Sequence, residues 1–283
     1  MSESMTWFIT GAATGLGRSL ALHLLHSGDR VILGSRHDLG DIQKQFPATA
    51  LAVHLDVTNP AQRAQSVERA LHWAGSIDVL VNNAAVDFLG AVEEQREEDY
   101  RAQFEVNFFA AVEMIRLVLP GMRRRRRGTI VNISSMDGIA SLPANAFYSA
   151  SKFALEGLTE ALWQEIEPLG LRAFLVEPGS FRTGIEQRTH VSGTAIGDYA
   201  ATSGAFIQNA RAVRPDMFPG DPARAAIEIA RNVRSDSPRR WLVLGSDAHR
   251  RIGVKLAQFH AEFDNGQALA ASTDYPDAGP AVL

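Results

Sequence analysis

The sequence predicts an α/β protein of the Rossmann-like, doubly wound type, with a mostly parallel, seven-stranded sheet and helices on both faces. Two observations predict this class. Short apolar runs alternate with longer segments of helical periodicity, which is typical of a parallel sheet joined by helical crossovers. A glycine-rich turn also follows the first apolar run, close to the amino terminus. The apolar fraction of 46% and the charged fraction of 21% are ordinary for a globular protein.

The predicted strands are apolar and rich in β-branched residues: Thr6–Thr10, Val31–Ser35, Leu51–Leu55, Ile77–Val81, Thr129–Ile133, Leu171–Glu177 and Trp241–Leu244. The predicted helices are Arg18–His26, a helix after Pro60, Glu97–Leu119, a helix from about Tyr148, one from Pro222 to about Arg234, and Asp247–Phe263.

No repeat or linker interrupts the sequence, so residues 1–283 are predicted to form one domain. Ser180–Gly220 lacks clear periodicity, and so long an irregular segment predicts a substrate loop. The polar tail, Asp264–Leu283, is expected to lie over the surface or over a neighbouring subunit.

Composition argues against several classes of function. The net charge of −4 gives no support for a nucleic-acid or membrane partner, and the run Arg123–Arg127 is interpreted as a solvated helix end. The absence of cysteine excludes disulfides and thiolate chemistry, and the dispersed histidines predict no metal site. No segment approaches the roughly 18 apolar residues that span a bilayer. We therefore expect a cytoplasmic enzyme.

The turn Gly11–Gly17 links the first strand to the first helix. Glycines let the backbone approach a ligand closely, and a helix amino terminus offers free N–H groups and a positive dipole end to a phosphate. The turn therefore predicts a dinucleotide site at Gly11, Thr14, Gly15, Leu16 and Gly17. Its spacing is G-x-x-x-G-x-G rather than G-x-G-x-x-G, and an ordinary glycine-rich turn is the alternative.

The end of the second strand indicates which dinucleotide is bound. A site for NAD usually places an acidic residue about 20 residues past the glycines, to bind the ribose 2′-hydroxyl. Ser35 and Arg36 occupy this place, and an arginine suits the 2′-phosphate of NADP. NADP is therefore favoured. Asp38 keeps NAD possible, and a solvated Arg36 is the alternative.

Two further strand ends carry candidate cofactor residues. Asp56 ends the third strand, and its carboxylate either accepts a hydrogen bond from an adenine amine or caps the helix after Pro60. The fourth strand runs into Asn82–Ala85, whose small residues would let the backbone pass beside a cofactor. A plain strand-end turn is the alternative there.

The segment Thr129–Lys152 carries the predicted chemistry. Tyr148 and Lys152 lie four positions apart on a predicted helix and therefore share one face. A lysine beside a tyrosine favours the phenolate and lowers the pKa of the phenol. A serine at the end of the preceding strand can donate to the same substrate oxygen. Together they supply a carbonyl donor, a proton carrier and a tuning charge, as hydride transfer requires, although Tyr–Lys pairs also arise by chance.

These motifs together resemble the short-chain dehydrogenase/reductase family over nearly the whole chain. The resemblance rests on residues at the family's spacing: Thr10–Gly17, Asp56, Asn82–Ala84, Asn107, Ser135, Tyr148, Lys152 and Pro178-Gly179. Ala85 departs from the pattern, because the family usually has glycine there. The tract YSASKFALEGL is similar to the branch of hydroxysteroid and retinol dehydrogenases, which implies a bulky or lipophilic substrate.

The resemblance implies a role for each matching residue. Tyr148 is expected to be the general acid/base, and Ser135, rather than its neighbour Ser134, to orient the carbonyl. Lys152 is expected to hold the ribose while lowering the pKa of Tyr148, and Asn107 to support a water-linked proton relay to Lys152. The remaining cofactor contacts are expected at Val57, Asn83, Ala84, Ala85, Pro178, Gly179 and Thr183.

The sequence therefore predicts an NADP-preferring oxidoreductase that interconverts an alcohol and a ketone or aldehyde, and the family resemblance implies a homodimer or homotetramer. Two alternative functions are disfavoured. A cofactor-binding regulatory or scaffold protein is disfavoured because Ser135, Tyr148 and Lys152 are all present. An epimerase or dehydratase of nucleotide sugars is disfavoured by the glycine spacing and the short carboxyl-terminal region.

Overall fold

The computed structural model describes residues 4–184, 188–277 and 279. The strands in chain order are β1 Thr6–Thr10, β2 Arg30–Ser35, β3 Ala50–His54, β4 Val79–Asn82, β5 Asp87–Leu89, β6 Thr129–Ile133, β7 Arg172–Pro178, β8 Thr189–Val191 and β9 Trp241–Leu244. Seven of them form one parallel sheet in the order β3-β2-β1-β4-β6-β7-β9. The predicted sheet is confirmed.

The helices in chain order are α1 Gly15–His26, α2 Gly40–Gln45, α3 Pro60–Ala74, α4 Glu97–Phe104, α5 Ala110–Arg125, α6 Ala146–Ile166, α7 Ala205–Ala212, α8 Pro222–Arg234, α9 Ser246–Asn265 and α10 Gln267–Ala271. A π-helical turn, Glu105–Phe109, joins α4 to α5. No helix in the described part of the chain is long and apolar enough to cross a membrane.

Successive strand residues point to opposite faces of the sheet, and both faces are covered. Trp7 and Ile9 of β1 pack with α1 and α8, whereas Phe8 between them packs with α3, α5 and α6. This arrangement explains why the strands are predominantly apolar on both faces instead of alternating with polar residues.

The strand order reverses at β1, which lies between β2 and β4. The connections on the two sides of β1 therefore diverge and open a crevice at the carboxyl ends of β1 and β4. The predicted site residues lie at this edge of the sheet.

Buried hydrogen bonds fasten β6 to α6. Asn132 Nδ2 donates to Thr159 Oγ1 at 2.8 Å, and Asn132 Oδ1 accepts from Asn82 Nδ2 of β4 at 2.8 Å. Asn132 and Thr159 are both fully buried. A buried amide must be paired, so these bonds fix how β4, β6 and α6 sit relative to one another.

The predicted carboxyl-terminal end of one helix is wrong. The helix that was expected to end at Leu119 continues through Pro120 to Arg125. Pro120 and Arg116 are both exposed, so the carbonyl that loses its donor can bind water. Arg125 Nη2 donates to Ile77 O at 2.6 Å, while the other arginines of the run Arg123–Arg127 are exposed.

The segment Ser180–Gly220, predicted to be an irregular loop, contains β8 and α7. Both are short and find their partners far away in the chain, which hid them in the sequence. β8 pairs with β5, and Ile207 of α7 packs against Leu89 and Ala144. Within the predicted tail, α9 extends to Asn265 and the exposed α10 follows. Residues 278 and 280–283 lie outside the described part.

The apolar residues of α6 that suggested pairing between subunits mostly pack against the sheet of their own chain. Leu155, Leu162, Trp163 and Ile166 are buried, and Leu158 packs against the same core. The quaternary structure therefore stays a prediction.

We expect Asn132→Ala to destabilise the protein by about 2–4 kcal/mol, because it removes the acceptor of the buried Asn82 Nδ2 and the donor to the buried Thr159 Oγ1. Urea unfolding of the variant, of Thr159→Val and of the double variant would measure the coupling. Strict additivity of the two single effects would contradict a direct role for this hydrogen bond.

Candidate active site

Ser135, Tyr148 and Lys152 meet in the interior beside the end of β6. Ser135 lies two residues after the buried end of that strand, and Tyr148 and Lys152 lie one turn apart in the first half of α6. All three side chains are buried. Lys152 Nζ donates to Ile133 O at 2.9 Å and lies 5.7 Å from the centre of the Tyr148 ring. The Ser135 hydroxyl interacts with the Tyr148 phenol.

Ser134 points to a different place from Ser135. Ser134 Oγ has no hydrogen-bond partner among the described residues, whereas Ser135 Oγ accepts from Asp137 N at 3.1 Å and donates to Asp137 Oδ2 at 3.3 Å. Neighbouring residues in extended backbone point in opposite directions, so only one of the two serines can reach Tyr148. The structure brings together the three residues that the sequence selected.

The pKa of Tyr148 is raised in this structure, so the lowering effect expected from Lys152 does not dominate. Burial raises the pKa of Tyr148, and the carboxyl groups of Asp87 and Asp137 raise it further. Burial also lowers the pKa of Lys152 to about 8, against the opposing charges of Glu156, Asp87 and Asp137. At neutral pH, Tyr148 therefore holds its proton firmly.

Asn107 lies in the π-helical turn, and both of its polar groups are engaged. Its Oδ1 accepts from Val86 N at 2.9 Å, and its Nδ2 donates to Val86 O at 3.0 Å and to Ser151 Oγ at 3.1 Å. The π-helical turn places this amide among backbone groups that it satisfies. Asn107 therefore holds the chain at Val86, and the expected relay to Lys152 stays a prediction.

Sequence reasoning missed two carboxylates beside Tyr148. Asp87 begins β5, and Asp137 lies two residues after Ser135. Arg251 reaches Asp137 from α9 and also donates to Ala140 O at 2.5 Å. The position of each aspartate next to a recognised motif was the available signal. Nothing in the sequence pattern indicated Arg251, which is more than a hundred residues away from Asp137 along the chain.

The amino terminus of α1 fits a phosphate group. Thr14 is extended, no described side chain caps the first turn of α1, and this turn contains no acidic residue. Its N–H groups, including those of Leu16 and Gly17, are therefore available to an anion. Arg188, also missed from the sequence, adds a cation here, because its Nη1 donates to Thr14 Oγ1 at 2.6 Å.

Glycine is required in this turn. Gly11 and Gly15 have positive φ values of 68° and 56°. A Cβ on Gly11 would lie 2.9 Å from Ala84 Cα, and one on Gly17 would clash with the Asn83 amide. Close packing, as well as ligand binding, therefore explains these glycines.

The residues after β4 mainly support the glycine-rich turn. Asn83 Nδ2 donates to Thr10 O at 2.9 Å and to Gly11 O at 3.1 Å, and Ala84 N donates to Thr10 Oγ1 at 3.1 Å. Ala85 is exposed, so its additional methyl group does not crowd the protein interior.

The ends of β2 and β3 carry the residues expected near an adenosine. Ser35 is buried and its Oγ accepts from His37 N at 2.9 Å, while Arg36 is exposed. Asp38 Oδ1 accepts from Gly40 N at 3.0 Å at the start of α2. The Asp38 carboxylate is therefore already engaged by backbone.

Asp56 does not cap α3. Burial alone would raise the pKa of Asp56, but hydrogen bonds from Thr58 and the charge of Arg36 lower it below its usual value. Asn59 caps the helix instead, accepting from Ala61 N at 3.0 Å. Val57 is buried next to Asp56, with its side chain in the core.

Pro178 is the last residue of β7, Gly179 follows it, and Thr183 lies against the glycine-rich turn. A Cβ on Gly15 would lie 3.0 Å from Thr183 Cβ. Gly179 packs so closely on Asp247 that a side chain there would clash with the carboxylate. The structure therefore gathers the predicted cofactor residues at one edge of the sheet.

Behind Lys152 lies a second pair of buried carboxyl groups. Glu177 of β7 is fully buried, and neither of its carboxyl oxygens has a donor among the described residues. Burial, together with the charge of Glu156, raises the pKa of Glu177 to about 8. Burial likewise raises the pKa of Glu156 to about 7.

The chain was compared with known proteins. The model of the short chain dehydrogenase family matches residues 6–192. A 3-ketodihydrosphingosine reductase of Bacteroides thetaiotaomicron is 36% identical over 231 residues, which are 81% of this chain and 84% of that protein. A 3-alpha-(or 20-beta)-hydroxysteroid dehydrogenase of Mycobacterium bovis is 36% identical over 62% of this chain and 68% of that protein.

Solved structures are also similar. A short-chain dehydrogenase from Streptomyces avermitilis has a TM-score of 0.89 and 35% identity, over 97% of this chain and 100% of that chain. A short chain dehydrogenase from Burkholderia cenocepacia, in complex with NADP, has a TM-score of 0.69 and 26% identity, over 97% of this chain and 99% of that chain.

We expect Glu177→Gln to make the stability less dependent on pH. The pKa of Glu177 is about 8 in the folded protein against 4.5 as its ordinary value, so the folded state binds an additional proton between these pH values. Stability therefore falls as pH rises through this window. Between about pH 5 and pH 9, the wild type should lose on the order of 4 kcal/mol more than the variant.

Thermal unfolding across this pH range would measure the difference, with the exposed Glu165→Gln as a matched control. Parallel stability curves for the wild type and Glu177→Gln would contradict the expectation.

Proposed function

Because the chain belongs to the short-chain dehydrogenase family and is an oxidoreductase, we propose that it interconverts an alcohol and a ketone or aldehyde with NADP. The observation that carries the proposal is the meeting of Ser135, Tyr148 and Lys152 in the interior, at the same edge of the sheet as the uncapped α1. A reactive carbon held between them has a proton source and an oxygen donor on one side and a dinucleotide on the other.

Each polar group has a distinct task in carbonyl reduction. Nicotinamide, when bound, supplies the hydride. Tyr148 gives its proton to the carbonyl oxygen, and its raised pKa means that the proton is present at neutral pH. Ser135, oriented by its hydrogen bond from Asp137 N, donates to the same oxygen and stabilises the negative charge that develops there. In alcohol oxidation the same groups act in reverse.

Lys152 acts as a fixed cation beside Tyr148. Its bond to Ile133 O holds the ammonium group at the end of β6, where it favours the phenolate that Tyr148 becomes after giving up its proton. Lys152 is also placed to hold the ribose, while the amino terminus of α1 and Arg188 would hold the pyrophosphate.

The end of β2 supports a preference for NADP. Arg36 is exposed there and can pair with a 2′-phosphate, whereas Asp38 already accepts from Gly40 N and is turned towards α2. The carboxylate that would favour NAD is thus occupied. The Burkholderia cenocepacia protein in complex with NADP agrees with this choice.

We further propose that the substrate is bulky or lipophilic. Apolar side chains lie beside β5 and the start of α6: Leu89, Ala144 and Ile207 form a buried cluster, and Phe206 packs against it. Two relatives are named for the reduction of a ketodihydrosphingosine and the oxidation of hydroxysteroids. Both names agree with an apolar substrate body.

Tyr148→Phe should lower kcat by about 10²–10⁴-fold for any substrate that the wild type reduces, because the proton donor is lost. Oxidation of NADPH followed with a panel of bulky ketones measures the effect. Tyr275→Phe, which changes an exposed tyrosine in the same way, should leave kcat unchanged. Comparable rates in the wild type and Tyr148→Phe would refute the assigned role.

Arg36→Leu should lower kcat/KM for NADPH by about 10–100-fold and leave that for NADH nearly unchanged, because only NADPH has the 2′-phosphate. Arg69→Leu removes an exposed arginine from α3 and serves as the control. A wild type that uses NADH more efficiently than NADPH would overturn the proposed preference.

A further inference from the structure

Asp87 is a buried carboxylate beside the reacting groups to which the proposed mechanism gives no task. It begins β5, directly after the strand-end segment Asn82–Val86. Its charge acts on both Tyr148 and Lys152, so it lies within electrostatic reach of both. A carboxylate in this position influences any group that the substrate carries next to its reacting carbon.

The chain on both sides of Asp87 is fixed by side chains from the helix that contains the π-helical turn. Asn107 bonds both backbone groups of Val86, at 2.9 and 3.0 Å. Gln103 Oε1 accepts from Phe88 N at 2.7 Å. Gln103 and Asn107 are buried and face the same strand, so Asp87 is held in place rather than free to turn to solvent.

The side-chain amide of Asn107 also connects the segment that carries Asp87 to α6, the helix of Tyr148. Asn107 Nδ2 donates to Ser151 Oγ at 3.1 Å, and Ser151 Oγ donates to Tyr148 O at 2.7 Å. The position of Asp87 relative to Tyr148 is therefore set by a continuous run of hydrogen bonds. This rigidity is what a group that selects substrates requires.

One oxygen of Asp87 has no partner. Oδ2 accepts from Thr189 Oγ1 at 3.1 Å, whereas Oδ1 is buried and receives no hydrogen bond from any described residue. The residue as a whole is half-buried, and its Oδ1 atom is shielded from solvent. An uncompensated buried carboxylate is costly, which indicates that a donor from outside the chain completes it.

The neighbouring charges leave Asp87 without a cation of its own. Arg251 pairs with Asp137, and Lys152 lies among three carboxyl groups. Asp87 forms no ion pair within residues 4–184 or 188–277. The carboxyl groups therefore leave an excess of negative charge at Asp87. A positive charge at Asp87 Oδ1 would balance this excess negative charge, whereas an apolar group would not.

Resting on the proposed function, we propose that Asp87 binds a protonated amine next to the reacting carbon, so that the substrates are amino ketones and the corresponding amino alcohols. The ammonium group donates to Asp87 Oδ1, and the carbonyl oxygen lies at Ser135 and Tyr148. The apolar remainder of the substrate extends away from these polar groups.

The ammonium group also assists the reaction. Burial and the charge of Asp137 raise the pKa of Asp87 to about 7, and the Asp87 charge in turn raises the pKa of Tyr148. A cation bound at Asp87 stabilises the carboxylate and screens its charge from Tyr148. The phenolate that forms after proton transfer is then less unfavourable. An amino ketone should thus bind more tightly and react faster than a neutral ketone of the same shape.

Three aryl ketones test the inference: α-aminoacetophenone, α-hydroxyacetophenone and propiophenone differ only in the group next to the carbonyl. The wild type should favour the amino ketone over propiophenone by about tenfold or more in kcat/KM, as expected for a charge-assisted hydrogen bond. Asp87→Asn should bring this ratio close to one. The ratio within one variant is the readout, so a general loss of activity cancels.

Asp198→Asn, at an exposed aspartate, is the matched control and should keep the wild-type ratio. Equal use of the three ketones by the wild type, or an unchanged ratio in Asp87→Asn, overturns the inference. In either case the proposed function would still be supported if the wild type turns over propiophenone and Tyr148→Phe does not.

Binding decides the question if none of these ketones is turned over. Isothermal titration calorimetry in the presence of NADP⁺ compares α-aminoacetophenone with propiophenone in the wild type and in Asp87→Asn. The inference is supported if the wild type binds the amino ketone more tightly than propiophenone and Asp87→Asn loses this difference. Equal binding of both ketones to the wild type rejects it, whatever the outcome for turnover.

Discussion

The attachment of α6 to the end of β6 is the constraint on which the rest of the site depends. Lys152 Nζ donates to Ile133 O, and two turns further along α6 a hydrogen bond between Asn132 and Thr159 fixes the core between strand and helix. These bonds place Tyr148 opposite Ser135, although the two residues reach that point from different elements. A shift of α6 by one residue would leave buried amides unpaired, so the geometry is specified by polar groups as well as by packing.

The electrostatics around Tyr148 are set by acidic groups. Asp87 and Asp137 lie on the side of the substrate, and Glu156 and Glu177 lie behind Lys152. Only Asp137 has a strong cationic partner, Arg251, which belongs to the last long helix. The carboxyl-terminal part of the chain therefore helps to build the site. Buried groups without partners lower stability, and their concentration beside reactive side chains is typical of a functional site.

Prediction from the sequence worked best where a local pattern was enough. The strands are predominantly apolar, and Tyr148 and Lys152 share a helix face by spacing alone. It failed where a partner far away in the chain decides the structure. β5 and β8 are three residues each and exist because they pair with each other, and α7 is held by Leu89 and Ala144. The length of α5 was underestimated because solvent at Arg116 and Pro120 tolerates the missing donor.

By itself the sequence determined the fold class and the sheet edge that carries the site, because periodicity encodes these locally, whereas Ser135, Tyr148 and Lys152 were selected by their resemblance to the family's spacing. Only the tertiary structure decided what surrounds them. It showed that Asn107 hydrogen-bonds the backbone of Val86 and that Asn59 rather than Asp56 caps α3. It also showed that burial and the charges of Asp87 and Asp137 raise the pKa of Tyr148. Burial and charge are properties of groups that meet across the fold, and no local pattern records which groups will meet.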